Sequence, residues 1–324
     1  MAFRTTESHP IFQTALRTRR SLTLAIAGIF ALATISRAAD LIDLPYQSPS
    51  TGVDGALVIP DALPLFSERS SPSRLAYDAT RGYLLAGARP FDNSESYNTY
   101  AYINGVWTFL DSDTKFSEPT FAFDAARGEV IRFGGYDDFR DLYEDVTRVW
   151  DGANWLYKTG INTPPPERSR SRMVYDAARQ QIVLFGGEND DDELNDTWTW
   201  DGSQWTEQTP TNLPDKRTYP AMAYDAARQE VVMFGGLGSG WEDDTWVWDG
   251  SEWTEEFPAN SPPGRYGAMD YDPTRSVIVL VTNSSGDNAE TWEWDGSNWT
   301  QRITTTAPSA RQYHDVIFNP ESQK

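Results

Sequence analysis

One feature limits what this chain can fold into more than any other. An aromatic residue followed by Asp or Asn recurs at Tyr77, Phe123, Tyr175, Tyr224, Tyr271 and Phe318, at intervals of 46, 52, 49, 47 and 47 residues. Self-similarity at such a period means that each unit is one supersecondary module, burying its apolar face only against its neighbours. The interval holds four short strands with their turns. A helical solenoid of similar period would place apolar residues every 3.6 positions, and this chain does not.

The unit is clearest from Arg217 onward. Residues 221–224 form a short apolar strand, 225–229 a turn, and 231–234 a second apolar strand ending at Gly235 and Gly236. After a polar stretch, 245–248 alternates in strand fashion, Asp249-Gly250 is a hairpin signal, and Trp253-Thr254 begins a fourth strand. We call these strands a, b, c and d. The same order returns with Phe185-Gly186-Gly187, Trp200-Asp201-Gly202 and Trp205, and with Phe133-Gly134-Gly135, Trp150-Asp151-Gly152 and Trp155.

The double glycine closing strand b, the aromatic-Asp ending strand c and the Trp of strand d resemble kelch repeats and the related central domain of galactose-oxidase-like proteins. The resemblance covers about residues 73 to 318. It implies an all-β, kelch-like β-propeller of four-stranded antiparallel blades around a central channel. Five full repeats start near residues 73, 117, 168, 217 and 265, and a partial sixth starts at 311. Two repeats depart from the pattern: the first has Ala86-Gly87-Ala88 and Asn104-Gly105, and the fifth has Val281-Thr282-Asn283.

Ring closure is left open, because the sixth repeat reaches only strand a before Lys324. The segment 39–72 carries apolar runs at 56–59 and 62–66 that fit pairing with that strand, although Pro60 and Pro64 limit it. An open ring and a chain shorter than its relatives fit the sequence equally.

Residues 1–38 read as an export signal. Arg17, Arg19 and Arg20 precede an apolar run from Leu22 to Leu32 that is too short to span a bilayer, and Ser36 and Ala38 supply the small residues of a cleavage site. Arg19 and Arg20 also fit the twin-arginine route, although Thr23 interrupts the apolar pair expected after them. The expectation is an exported protein, periplasmic or extracellular, without membrane insertion once the signal is removed.

The chain carries a formal charge of −21. Arg4, Arg17, Arg19, Arg20 and Arg37 against Glu7 give the signal a net +4, so the remainder is at −25. Such a surface repels phosphate backbones and anionic lipid, which argues against nucleic-acid partners. There is no cysteine, so disulfides, thiolate nucleophiles and cysteine-held metals are excluded.

Twelve of the 13 tryptophans fall on strands c and d, where they are expected to pack between blades. Trp241 falls outside that pattern, in what reads as a loop after Gly236, and is the candidate exposed aromatic. In a four-stranded antiparallel blade the a–b and c–d turns share one propeller face. Here that face is monotonous, with Asp-Ala-Ala-Arg and Asp-Gly turns. The other face carries the b–c and d–a connections, which vary, and binding is expected there. Its candidate ligand contacts are Trp241, Tyr136, Phe139 and Tyr143, together with Arg168, Arg217, Arg265 and Arg311 at the approach to strand a. Those arginines fit either an anionic ligand or pairing with neighbouring carboxylates. Asp190, Asp191, Asp192 and Glu193 are candidate calcium ligands, but no alternating ligand pattern with a turn glycine accompanies them.

Catalytic sets are scarce. The copper site of galactose-oxidase-like enzymes needs a cysteine and several histidines, and beyond the signal this chain has only His314. That histidine lies on the last strand a, where a structural role is expected, and no G-x-S-x-G turn accompanies it. Paired carboxylates for glycoside hydrolysis are not visible in a sequence. The expectation is therefore a monomeric, non-catalytic binder of a protein or glycan without a cofactor other than calcium, the alternative being an extracellular, carbohydrate-active or other enzyme with a carboxylate site at the channel mouth.

Overall fold

A computed structural model describes residues 56–58, 74–88, 97–104, 106–114, 116–137, 139–283, 288–303 and 314–318. These lie within the unit Ser48–Lys324; residues 1–38 and 62–66 and Arg311 lie outside the described set.

In chain order, β1 (Ala56–Val58) is followed by blade 1, made of β2 (Arg74–Asp78), β3 (Tyr83–Ala88), β4 (Tyr97–Ile103) and β5 (Val106–Thr114). Next come β6 (Phe116–Ser117) and blade 2, which holds β7 (Thr120–Asp124), β8 (Glu129–Phe133), β11 (Thr147–Trp150) and β12 (Trp155–Tyr157). Its b–c connection carries two further strands, β9 (Tyr136–Asp137) and β10 (Leu142–Tyr143). Blade 3 is β13 (Arg172–Asp176), β14 (Gln181–Phe185), β15 (Thr197–Trp200) and β16 (Trp205–Gln208). Blade 4 is β17 (Ala221–Asp225), β18 (Glu230–Leu237), β19 (Trp241–Trp248) and β20 (Trp253–Glu256). Blade 5 is β21 (Gly267–Asp272), β22 (Val277–Thr282), β23 (Glu290–Trp294) and β24 (Trp299–Arg302), and β25 (Val316–Phe318) follows.

The fold is an all-β propeller. Five four-stranded antiparallel sheets correspond to the five repeats, and β1 and β25 make a two-stranded sixth. The a strands pack in sequence, β2 on β7, β7 on β13, β13 on β17, β17 on β21 and β21 on β25, and β25 returns to β2. The ring therefore closes through its innermost strand. Ala56, Leu57 and Val58 pair antiparallel with Phe318, Ile317 and Val316.

Two interactions repeat from blade to blade and account for the repeat residues. In the blade interfaces, the strand-d Trp Nε1 donates to the first Thr of strand c in the preceding blade. Trp155 reaches Thr99 (2.8 Å), Trp205 reaches Thr147 (2.9 Å), Trp253 reaches Thr197 (2.9 Å) and Trp299 reaches Thr245 (2.9 Å). Each of these indoles also stacks on the Trp opposite it in its own blade, at 5.3–5.4 Å between centroids. Trp150, Trp200, Trp248, Trp253, Trp294 and Trp299 are fully buried. At roughly 200 Å² of surface and about 25 cal/mol per Å², each such indole contributes on the order of 5 kcal/mol of transfer free energy.

The second interaction runs through the monotonous turns. Asp78, Asp124, Asp176 and Asp225 end strand a fully buried, and each binds the Arg three residues on. That Arg lies over the c–d turn of the next blade: Arg179 Nη2 donates to Asp249 O, and Arg228 Nη2 to Asp295 O. The turn glycine leaves the room, since a Cβ on Gly250 would collide with the Arg179 guanidinium. Asp-Ala-Ala-Arg and Asp-Gly are thus two halves of one clasp between neighbouring blades.

Candidate functional site

On the variable face the approaches to strand a form a collar. Glu118, Arg170 and Tyr219 occupy equivalent places in blades 2, 3 and 4, all with left-handed backbone (φ 58, 59 and 52°). Arg170 N donates to Glu118 O (3.2 Å) and Tyr219 N to Arg170 O (2.8 Å), so the main chains of the three blades are linked in series. The side chains satisfy one another as well. Arg170 pairs with Glu118 and Glu188, and Tyr219 OH donates to Glu118 Oε1 (3.1 Å). Burial raises the Glu188 carboxyl above its ordinary range despite Arg170, and also pushes the Tyr143 phenol up to about 12, where it donates to Glu188 (3.3 Å). Tyr136 packs on Tyr143 at 4.8 Å and donates to Asp141, while Phe139 is 71% exposed beside them. This b–c connection is less irregular than expected, because β6, β9 and β10 pair into a small sheet.

The arginines divide sharply. Arg168 and Arg217 are buried and paired with carboxylates, the second of the two roles their position allowed. Arg168 holds Asp196 in a bidentate pair (2.6 and 2.7 Å) and donates to Gly186 O and Pro166 O. Arg217 repeats this with Asp244 (2.6 and 2.8 Å), Gly235 O and Asp215 O. Each Asp also accepts from an indole two residues on, Trp198 or Trp246, at 2.7 Å. Burial works to raise the Asp196 carboxyl, but the Arg168 hydrogen bonds and charge outweigh it and hold the group below its ordinary value. These arginines fasten strand a to strands b and c, and both are buried.

Arg265 differs. It stands six residues before its strand-a aromatic, Tyr271, whereas Arg168 and Arg217 stand seven before Tyr175 and Tyr224. Blade 5 also carries Glu290 where blades 3 and 4 carry Asp196 and Asp244, and Arg265 makes no hydrogen bond or ion pair among the described residues. It lines a pocket of about 350 Å³ with Trp241, Gly264, Tyr266 and Asn283. Trp241 is 42% exposed and meets the buried Tyr266 edge-on at 6.4 Å. The expectation of a loop at Trp241 is also corrected. The chain continues through a bulge after Phe234, so β18 and β19 extend as a hairpin in which Trp241 pairs with Leu237. The indole therefore stands on a strand, and the Arg265 guanidinium lines the same pocket.

The acidic run 190–193 forms a turn in which Asn189 Oδ1 caps Asp191 N and Asp192 N (3.0 and 3.1 Å), and Asp192 pairs with Lys216. Among the described residues, no three acidic or histidine side chains converge as metal ligands would. His314 is buried with Nε2 at 3.0 Å from Val281 O.

Sequence reasoning expected a central channel, with a carboxylate site at its mouth as the alternative reading, but did not identify Asp270. Strand a carries Ala76, Ala122 and Ala223 in blades 1, 2 and 4 where blade 5 carries Asp270, and the break in that pattern was its only visible sign. Asp270 accepts from Phe318 N (2.6 Å) and Tyr271 N (2.8 Å), and deep enclosure pushes its carboxyl up to about 6. Asp315 accepts from Leu75 N (3.1 Å) of blade 1 and pairs with Arg172 of blade 3.

These features define the class as a β-propeller with a collared, variable face. No protein-family model matches the chain, and neither does any curated protein.

Proposed function

We propose that this is an exported kelch-type propeller that binds a protein or glycan through the face built from the b–c and d–a connections, without catalysing a reaction. The supporting observation is the pocket of Trp241 and Arg265. Elsewhere on this face the collar residues satisfy one another and the buried arginines hold carboxylates, and this pocket joins a half-exposed indole to a guanidinium without a bonding partner among the described residues. An indole face stacks on a sugar ring or an apolar side chain, and a guanidinium takes up carboxylate or hydroxyl oxygens in a fixed geometry. Trp241 stands on a strand, and Arg265 lies two residues before β21, so the framework that carries the indole is ordered before a ligand arrives.

A screen of glycans and secreted proteins against the purified protein tests this reading. The expected result is a ligand whose affinity falls at least tenfold in Trp241→Ala and in Arg265→Gln, with melting temperatures unchanged. A ligand indifferent to both substitutions, or turnover of any glycan, overturns it.

One observation favours the enzymatic alternative. Asp270, with its raised carboxyl, and Asp315 line the same cavity. Against it, both oxygens of each carboxylate accept main-chain N–H groups, and Asp315 is also held by Arg172. These bonds fix the closing strand in place. Hydrolysis of a glycan with a pH profile that Asp270→Asn abolishes would establish the alternative.

A further inference from the structure

We propose that the mouth of the channel on the opposite, turn-rich face is a second binding site, and that it takes a small organic cation such as a quaternary ammonium. The channel holds a cavity of about 370 Å³, a volume suited to a small molecule. Its wall includes Tyr77, Phe123, Tyr175, Tyr224, Tyr271 and Phe318, one aromatic from each of the six blades. All six remain partly exposed. Arg172 and Asp315, whose ion pair joins opposite blades, line its inner end, and the six aromatics stand toward the a–b turns.

The charges inside choose the ligand. Arg172 and Asp315 neutralise each other. The Asp residues of the a–b turns are matched by the Arg three positions on. Among the described residues Asp270 has no ion-pair partner, and its oxygens accept the N–H groups of Phe318 and Tyr271. An anion entering here would meet the Asp270 carboxylate, and a neutral guest would leave the Asp270 charge further desolvated. A cation removes both costs and gains attraction from aromatic faces. A chain of net charge −21 also concentrates cations at such a mouth.

The groups that govern Asp270 are Asp315 on β25, which raises its carboxyl, and Arg172 on β13, which lowers it. A bound cation acts with Arg172 and favours the ionised form, so binding near pH 6 must release protons.

The experiment is calorimetric titration of the full protein with choline and with its neutral isostere 3,3-dimethylbutan-1-ol, at pH 6 in two buffers of different ionisation heat. Choline is expected to bind at least tenfold more tightly than the isostere, with proton release, and to bind more tightly as pH rises through 6. Asp270→Asn should remove the preference, while Trp241→Ala leaves it intact. The wild-type pH dependence needs no variant and stands even if Asp270→Asn fails to fold. Equal binding of the two probes, no binding of choline, or binding without proton release overturns the proposal. The two sites lie on opposite faces, so loss of one reading leaves the other testable.

Discussion

Arg172 of blade 3 and Asp315 of blade 6 face each other across the centre of the ring and join in an ion pair. Tyr219 and Glu118 also join two blades that are not neighbours, within the collar. The Arg172–Asp315 pair ties the closing strand to the far wall of the channel. Removing one partner leaves the other charge enclosed without compensation, which costs about 3–5 kcal/mol. Arg172→Ala and Asp315→Ala are each expected to lower stability by that order, and the double variant to lose less than the two single losses added. Denaturant unfolding of the three variants measures this coupling. Additive losses would show that the pair does not hold the ring.

Arg217 and Arg265 look interchangeable in the repeat but should behave oppositely. Arg217→Ala strips Asp244 of its bidentate partner in a buried setting and is expected to destabilise by about 3–5 kcal/mol. Arg265→Ala removes a side chain with no bonding partner among the described residues and should stay within about 0.5 kcal/mol of the parent. Thermal unfolding of both variants, side by side, decides this. A large loss at Arg265 would mean that its guanidinium is structural, and the proposed pocket would lose its key group.

Much of the fold was legible because it is local. Alternation, Asp-Gly hairpins and double glycines specify each strand within about 50 residues, and each of the five full repeats became a four-stranded sheet. What escaped lies between repeats. Arg179 and Asp249 are 70 positions apart, and nothing near either says that they touch. Arg265 read as one of a set because a shift of a single residue is invisible without the clamp geometry. Trp241 read as a loop residue because Gly235-Gly236 signals a strand end, whereas the chain bulges there and resumes pairing. Asp270 and Asp315 went unweighed because acids abound in this chain, and only enclosure within the channel distinguishes them.

Asp270 predicts an unusual pH dependence. Its carboxyl titrates near 6 in the folded protein and near the ordinary aspartate value, about 3.9, when unfolded. Between those values the folded state holds a proton that the unfolded state has released, so stability falls as pH rises from about 4 to about 6. The full difference corresponds to about 3 kcal/mol, an upper figure for one group. Subtracting the stability profile of Asp270→Asn from that of the parent isolates it. The difference should slope through that window and be flat above pH 7. A flat difference throughout would mean that the carboxyl is not raised by its enclosure.

The clasp between blades makes the sharpest prediction about the repeat itself. Gly250 has φ +102°, where side chains are rarely accommodated, and a Cβ there would also strike Arg179. Two separate costs therefore meet at one position: backbone strain of order 1–3 kcal/mol and displacement of the guanidinium from Asp249 O. Gly250→Ala in the parent should incur both. In an Arg179→Ala background only the strain remains, so the same substitution should cost less there. A double-mutant cycle by chemical denaturation separates the two contributions. If Gly250→Ala costs the same in both backgrounds, the glycine serves its turn alone, and the recurrence of Arg and Gly in adjacent blades needs another cause.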